Sequence, residues 1–375
     1  MTWQVLTERP TFVLRRRGRF LIAELVGDHR VLSTSPCHGG QTSHVRFIVN
    51  HQSCEGRGHD ERHRAITDGG DATYHDRTCA EAEVPAPDTV TMGTAANMNY
   101  AAVTTMSDGD VEVTAVVTAG VEGNATCAGD PATWREAPSG VEKVPLCAGT
   151  INTIVLASVP LTDGALARAV VTMTEGKSAA LQRLAIPSRQ SRDLATGTGT
   201  DQYAIAAPVT GAPPFKFTGA HVKLGELLGR ATRDATVEAL RWQNGLEPSY
   251  TRGLFHALGR YGLVEKTFLD DIRPFLGHAD LELLEKNMKA VLYEPMAGAA
   301  AHALAAVLDR VRHGSLPSSA ERDACVQQAA LLAANLAAKP DAWPDYRSRL
   351  ADMPTQEPET LILAAIALGW SGKWR

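Results

Sequence analysis

Residues 151–184 read INTIVLASVPLTDGALARAVVTMTEGKSAALQRL. Seven of the first nine are β-branched or apolar side chains and Pro160 closes the run, the pattern of a buried strand. From Thr162 to Leu184 the rhythm changes, and Ala165, Ala169 and Thr172 recur at helical spacing. Working outward, VRFIVN, TVTMGTAA, YAAVTTM, VEVTAVVTAG and QYAIAAPV read as further strands, and Val222 to Gln243 as a second long helix. Near the start, TFVLRRRGRFLIAELVGDHRVLSTS reads as two or three short strands, with turns at Gly18 and at Gly27-Asp28. Strands in series with helices inserted imply an α/β or α+β fold, one central mixed sheet with flanking helices. The regular alternation of a TIM barrel or a doubly wound sheet is absent.

The chain changes character near NGLEPSYTRG. Residues 1–245 are rich in valine, threonine, glycine and proline, whereas 246–375 are dominated by alanine and leucine, with apolar stripes separated by proline or glycine. The second part is expected to be all helical. Its low density of polar groups suits packing, a lid or pairing into a homo-oligomer better than chemistry. With 44% hydrophobic and 21% charged residues, the 375-residue chain has the composition of a soluble globular protein. Its net charge is -5 and no basic block extends beyond LRRRGR, so nucleic acid is not an expected partner. No apolar run suits a membrane span and MTWQVLTERP lacks the pattern of a secretory signal, which makes the expected location cytoplasmic. Six cysteines without any C-x-x-C spacing argue against a disulfide framework and a zinc ribbon.

Polar residues gather where the strands and helices of the first part end. They are His38 and Gly39 in LSTSPCHGGQ, Asn50 and His51 in FIVNHQ, Glu122 and Asn124 in GVEGNA, Asn152 in GTINTIVL, and Glu175 and Lys177 in TMTEGKSAAL. The loop ATGTGTDQYAIA adds Thr198, Thr200 and Asp201, and GAHVKLGELLG adds His221, Lys223 and Glu226. Seven such places together point to a polar cleft at a sheet edge. The TGTGTD loop has neither the Lys-Ser/Thr of a P-loop nor the strand-before, helix-after context of a dinucleotide loop.

GVEGNA, GTINTIVL, LTDGALARAVVTMTEGKSAAL, ATGTGTDQYAIA and GAHVKLGELLGRA, in that order and spacing, resemble the adenosylcobinamide amidohydrolase family over roughly residues 28 to 245. The resemblance implies hydrolysis of the amide joining aminopropanol to a corrinoid, giving adenosylcobyric acid in corrinoid salvage. Two places depart from the family pattern. Thr174-Glu175-Gly176-Lys177 stands where TEAK is usual, and Glu122 adds an acid to the asparagine motif. The long C-terminal part also lies beyond the minimal family enzyme.

Amide hydrolysis needs a base or nucleophile, donors for the oxyanion and an acid for the leaving amine. Asp201 or Glu175 can serve as base, and His221 as acid with Glu226 or Lys223 beside it. Lys177 completes the catalytic candidates. Asn124, Asn152 and the backbone N–H groups of 197–200 can stabilise the oxyanion, and Thr198 or Thr200 offers a covalent route. His38, Gly39, Asn50 and Glu122 are expected to contact substrate, with apolar walls from Tyr100–Val103 or from Phe215 and Phe217. Each residue has a plain structural alternative: an exposed Glu175–Lys177 pair, a helix cap at His221, a loop cap at Asp201, a buried structural Cys127.

Two other readings stay open. In GHDERHRA, His59 and His63 are spaced i, i+4, and with His75 and Asp76 they can form a divalent-metal site of a metal-dependent hydrolase, although H-E-x-x-H is missed. A solvated helix face explains the same spacing. The other is a corrinoid binder without catalysis. A carboxylate at Glu122 in a desolvated cleft would instead favour a smaller cationic amide or guanidine-like substrate.

Overall fold

The computed structural model describes residues 2–53, 59–132, 134–137, 140–143, 149–354 and 357–374. The chain forms two compact units, one reaching Gln190 and resuming at Leu194–Gly245, the other made of Ser191–Asp193 and Leu246 onward. Gly245 ends the last helix of the first unit with φ 64, a left-handed angle that costs a residue without Cβ little.

In the first unit the strands are β1 (Gln4–Arg9), β2 (Phe12–Arg17), β3 (Phe20–Leu25), β4 (His29–Ser33), β5 (Gly40–Thr42), β6 (Phe47–Gln52), β7 (Thr89–Thr94), β8 (Ala102–Asp108), β9 (Val111–Gly120), β10 (Ala125–Thr126), β11 (Trp134–Ala137), β12 (Gly140–Lys143), β13 (Thr150–Ala157), β14 (Gly197–Thr198) and β15 (Gln202–Pro208). The long helices are α1 (His59–Ala82), α2 (Asp163–Arg183) and α3 (Lys223–Asn244). The α/β class is as the sequence implies, but the strands build two larger sheets rather than one. The first has the order β1-β2-β3-β6-β7 and the second β5-β4-β15-β13-β9-β8; β10–β14 and β11–β12 are separate small pairs.

Alternation along the strands explains why two sheets stack. Leu14, Leu21, Ala23, Ile48, Val90 and Met92 of the first sheet share one apolar core with Val116, Ile154, Leu156, Ala204 and Ala206 of the second. Residues one step out of phase, Phe20, Ile22, Phe47 and Val49, pack instead with Cys79 and Ala82 of α1. The result is a four-layer stack of helix, sheet, sheet and helices, in which β13 is buried along its whole length. Each Leu, Ile or Val so buried contributes about 1.5–3 kcal/mol. β13 runs parallel to β15, with Asn152 opposite Gln202, and antiparallel to β9, with Asn152 opposite Thr118.

Helices α2 and α3 cover the outer side of the second sheet. Thr162 caps α2 by accepting from the Ala165 N–H. Gly176 lies where α2 meets α3: a Cβ there would come within 2.7 Å of the Gly229 carbonyl oxygen. The glycine therefore serves a close approach of the two helices. Helix α1 is the element the sequence reading leaves out beyond its HDERH segment; Gly70, with φ 71 and ψ 176, breaks its periodicity.

The second unit is all helical: α4 (Pro248–Thr251), α5 (Leu254–Leu258), α6 (Phe268–Ile272), α7 (His278–Asn287), α8 (Lys289–Leu292), α9 (Pro295–Arg312), α10 (Ser318–Ala337), α11 (Trp343–Ala351) and α12 (Pro358–Lys373). Its core is its own, centred on Trp370, Phe268, Leu304 and Leu332. Among the described residues no helix is long and apolar enough to cross a membrane.

Candidate functional site

At one end of the sandwich the inner layer turns from apolar to polar. Beyond Ile48, Val116, Ile154 and Ala204 the same inward-facing rows continue as Asn50, Thr118, Asn152 and Gln202. Asn50 donates to Thr118 Oγ1 at 2.8 Å, and Asn152 donates to Asn50 Oδ1 at 2.9 Å and to the Gly93 carbonyl at 3.1 Å. Gln202 Oε1 accepts from the Gly93 N–H at 2.9 Å. These amides link the two sheets, and Asn152 Oδ1 is left buried without a hydrogen-bond partner among the described residues.

The TGTGTD loop sits on top of this layer, and its composition follows from what it holds. Asp201 accepts from the N–H groups of Ile151 and Thr198, each at 3.0 Å, and from the Thr198 hydroxyl and the Lys177 ammonium. Four donors occupy the carboxylate's acceptor positions. A Cβ at Gly197 would fall 2.5 Å from Asp201 Oδ2 and 2.8 Å from Lys177 Nζ, so the first glycine makes room for the ion pair. A Cβ at Gly199 would fall 3.1 Å from Asn124 Oδ1, so the second makes room for the asparagine. Thr200 Oγ1 lies 2.6 Å from Thr150 Oγ1, 3.0 Å from the Gly149 carbonyl and 3.4 Å from Asn124 Nδ2.

Two cavities meet at Thr200. The larger, about 580 Å³, is walled by Asn124, Thr126, Cys127, Asp130, Gln190 and Gly199. The smaller, about 250 Å³, is walled by Cys37, His51, Tyr74, His75, Thr91 and Gln202 among others. His51 hydrogen-bonds Tyr74 Oη at 2.8 Å. Burial, reinforced by the Arg19 guanidinium, pushes its pKa down to about 4, so the ring is neutral at neutral pH. Burial also raises the Cys37 thiol, with Asp71 and Asp76 adding to it, and takes Cys79 up to about 11. Both shifts favour the thiol over the more nucleophilic thiolate.

The candidates named from sequence therefore part company. Asn50, Asn124, Asn152, Lys177, Thr198, Thr200 and Asp201 are brought together at the polar end, but Asp201 and Lys177 line neither cavity and brace the loop instead. Of the backbone donors at 197–200, the Thr198 N–H goes to Asp201 and the Gly199 N–H to the Asn124 carbonyl. His38 stacks edge-on against His75, ring centroids 5.3 Å apart, and a Cβ at Gly39 would strike the Ser35 carbonyl at 2.0 Å. Glu122 is exposed, so the desolvated carboxylate that motivated a cationic substrate does not exist. Glu175 is exposed too, two residues and about 200° around α2 from Lys177.

His221 and Glu226 lie at the opposite end. Helix α3 has its C-terminus at the polar end, where Gln243 and Asn244 accept from the N–H groups of Asn97 and Val121. Its first turn is then about 30 Å away. There Glu226 pairs with Lys223 and Arg230 in solvent, and Phe215 and Phe217 are exposed beyond the C-terminal end of β15. Tyr100 is exposed as well, and neither cavity is walled by any of these aromatics. Cys127 is not buried structural cysteine: it lines the larger cavity.

The side chains of His59, Asp60, Glu61 and His63 lie outside the described residues. His75 is engaged by Thr91 and a backbone carbonyl, and among the described residues no set of three His, Cys, Asp or Glu can hold a metal ion. The contact between His75 and Thr91 joins α1 to β7, and Thr91 is absent from the residues the sequence singles out.

Comparison with known proteins bears on this end of the molecule. The family model described as adenosylcobinamide amidohydrolase matches residues 4–248. An uncharacterized protein of Methanocaldococcus jannaschii is 33% identical over 183 residues, 46% of this chain and 71% of that protein. The crystal structure of the PH0078 protein from Pyrococcus horikoshii OT3 aligns at 11% identity over 64% of this chain and 82% of its own. Its TM-score is 0.30, too low to carry an argument about fold.

Proposed function

The protein belongs to the adenosylcobinamide amidohydrolase family, and from that premise we propose that it hydrolyses the amide joining aminopropanol to adenosylcobinamide, releasing adenosylcobyric acid. The observation that carries the reading is the pair of cavities meeting at Thr200, walled by amide and hydroxyl groups suited to an amide-fringed ligand. A whole corrin ring exceeds the smaller cavity. In this reading the ring rests over the larger one and the side arm bearing the scissile amide passes Thr200 into the smaller.

The braced TGTGTD loop then serves as a rigid sill. Asp201 and Lys177 act by fixing Thr198 and Thr200, while Asn124, whose Oδ1 has no partner among the described residues, offers an acceptor to a ligand amide. Preorganised polar groups of this kind cost little reorganisation on binding.

The test is direct. Purified protein incubated with adenosylcobinamide should yield adenosylcobyric acid and free aminopropanol in equal amounts by mass spectrometry, and Thr200→Val should raise KM at least tenfold. Tight corrinoid binding without any product would replace the hydrolase by a binder. Clear turnover of small amides with none of cobinamide would keep the reaction class and discard the substrate.

A further inference from the structure

We propose that Thr91 is the nucleophile of this hydrolase and His75 its base, held in the smaller cavity by the Ala86 carbonyl. This rests on reading the protein as an amide hydrolase. His75 Nε2 lies 3.0 Å from the Ala86 carbonyl oxygen, which can only accept, and 3.6 Å from Cys79 Sγ, so the tautomer with its hydrogen on Nε2 serves this side of the ring. Nδ1 is then the acceptor, and the Thr91 hydroxyl, 3.2 Å from it, is the donor. Nucleophile, base and orienting acceptor stand in the order that activates a hydroxyl.

The surroundings complete the set. Thr91 is placed from behind by its N–H, which donates to Ser35 Oγ at 3.0 Å, and Ser35 in turn donates to the Cys37 carbonyl at 2.7 Å. Thr91 and His75 are nearly inaccessible to bulk water, 6% and 3% exposed, yet both wall the 250 Å³ cavity. Gln202 walls it too. Its Oε1 is taken by the Gly93 N–H, which leaves the Nε2 hydrogens without a partner among the described residues. A carbonyl oxygen turning into an oxyanion has its donor there.

The step balances within these groups. The Thr91 proton passes to His75 Nδ1 as Oγ1 bonds to the amide carbon. The tetrahedral intermediate, its oxyanion facing Gln202 Nε2, collapses with cleavage of the C–N bond, and His75 returns the proton to the departing amine. Water then gives one proton to His75 while its oxygen attacks the Thr91 ester. Collapse releases the carboxylic acid and the proton returns to Thr91 Oγ1.

Valine matches threonine in shape and lacks only the hydroxyl, so it separates chemistry from packing. We expect Thr91→Val to cut adenosylcobinamide turnover at least a thousandfold with an unchanged melting temperature and corrinoid affinity, Thr91→Ser to stay within about tenfold, and acid-quenched wild type to carry the cobyric acyl group on Thr91. A β-lactone probe should acylate Thr91 in wild type and fail to do so in His75→Gln. Turnover by Thr91→Val near the wild-type rate, with no acyl adduct, overturns the assignment and leaves the substrate intact. Wild type inert to cobinamide but acylated at Thr91 by the lactone sinks the substrate and keeps the nucleophile.

Discussion

The two ends of the four-layer unit carry similar residues to different effect. At the Thr200 end, Asp201, Asn124 and Asn152 are held by partners from several elements, Lys177 is held by Asp201, and the group adjoins two cavities that meet at Thr200. At the far end, Lys223, Glu226 and Arg230 form an equally complete set of charges along the first two turns of α3, facing water. The Lys223 hydrogen bond holds the Glu226 carboxyl below its ordinary range, but that is only the mark of a solvated ion pair. Motif richness alone does not separate the two ends; whether the partners come from distant parts of the chain does.

The sharpest way to break the contrast is to remove a brace. Asp201→Ala leaves Lys177 and two N–H groups unpaired in a site where both charged side chains are largely covered, 17% and 14% exposed. A loss of about 3 kcal/mol in urea unfolding is expected, together with at least a hundredfold drop in turnover. A variant as stable and active as wild type would show the loop to be ornamental. Next comes pH. His51 is held at about 4, against 6.5 for the free side chain, so between these values the unfolded chain binds a proton that the native one refuses. Stability should therefore rise as pH goes from 4 to 6.5, by on the order of 3 kcal/mol for this group. His51→Phe should flatten that slope in unfolding curves taken across the window, and an unaltered slope would assign it elsewhere.

Between the ends, Gly176→Ala should cost about 1–3 kcal/mol, since its methyl meets the Gly229 carbonyl. Unchanged thermal unfolding would mean that α2 and α3 separate freely. The smallest effect belongs to the far end: His221→Ala and Glu226→Gln should leave turnover within about twofold and the melting temperature unmoved. A strong kinetic defect in either would erase the distinction between the ends.

Much of the fold can be read from local pattern, and less of the site. Strand β13 and helix α2 follow from their side-chain periods, as does the change of composition before Leu246. The doubling of the sheet does not, because β3 pairs with β6 and β4 with β15, and no local period records which distant strand a run of valines will meet. The gathering of Asn50, Asn124, Asn152 and Thr200 was legible as polar residues at element ends. Asp201 was legible as a base or as the cap of its own loop; its ion pair with Lys177, 24 residues away on a helix, was not. His75 was legible only as a possible metal ligand, because its pairing with Thr91 arises through the stacking of α1 on the first sheet.

The linked amides Asn50 and Asn152 also act as a depth gauge. They tie β6 of one sheet to β13 of the other, and sliding the sheets by one inward-facing step, about 6.7 Å, would drive an amide into the dry layer below. The floor of the cleft is thereby pinned, whatever its rim becomes. Insertions in the loops above can change what enters without changing how far it goes.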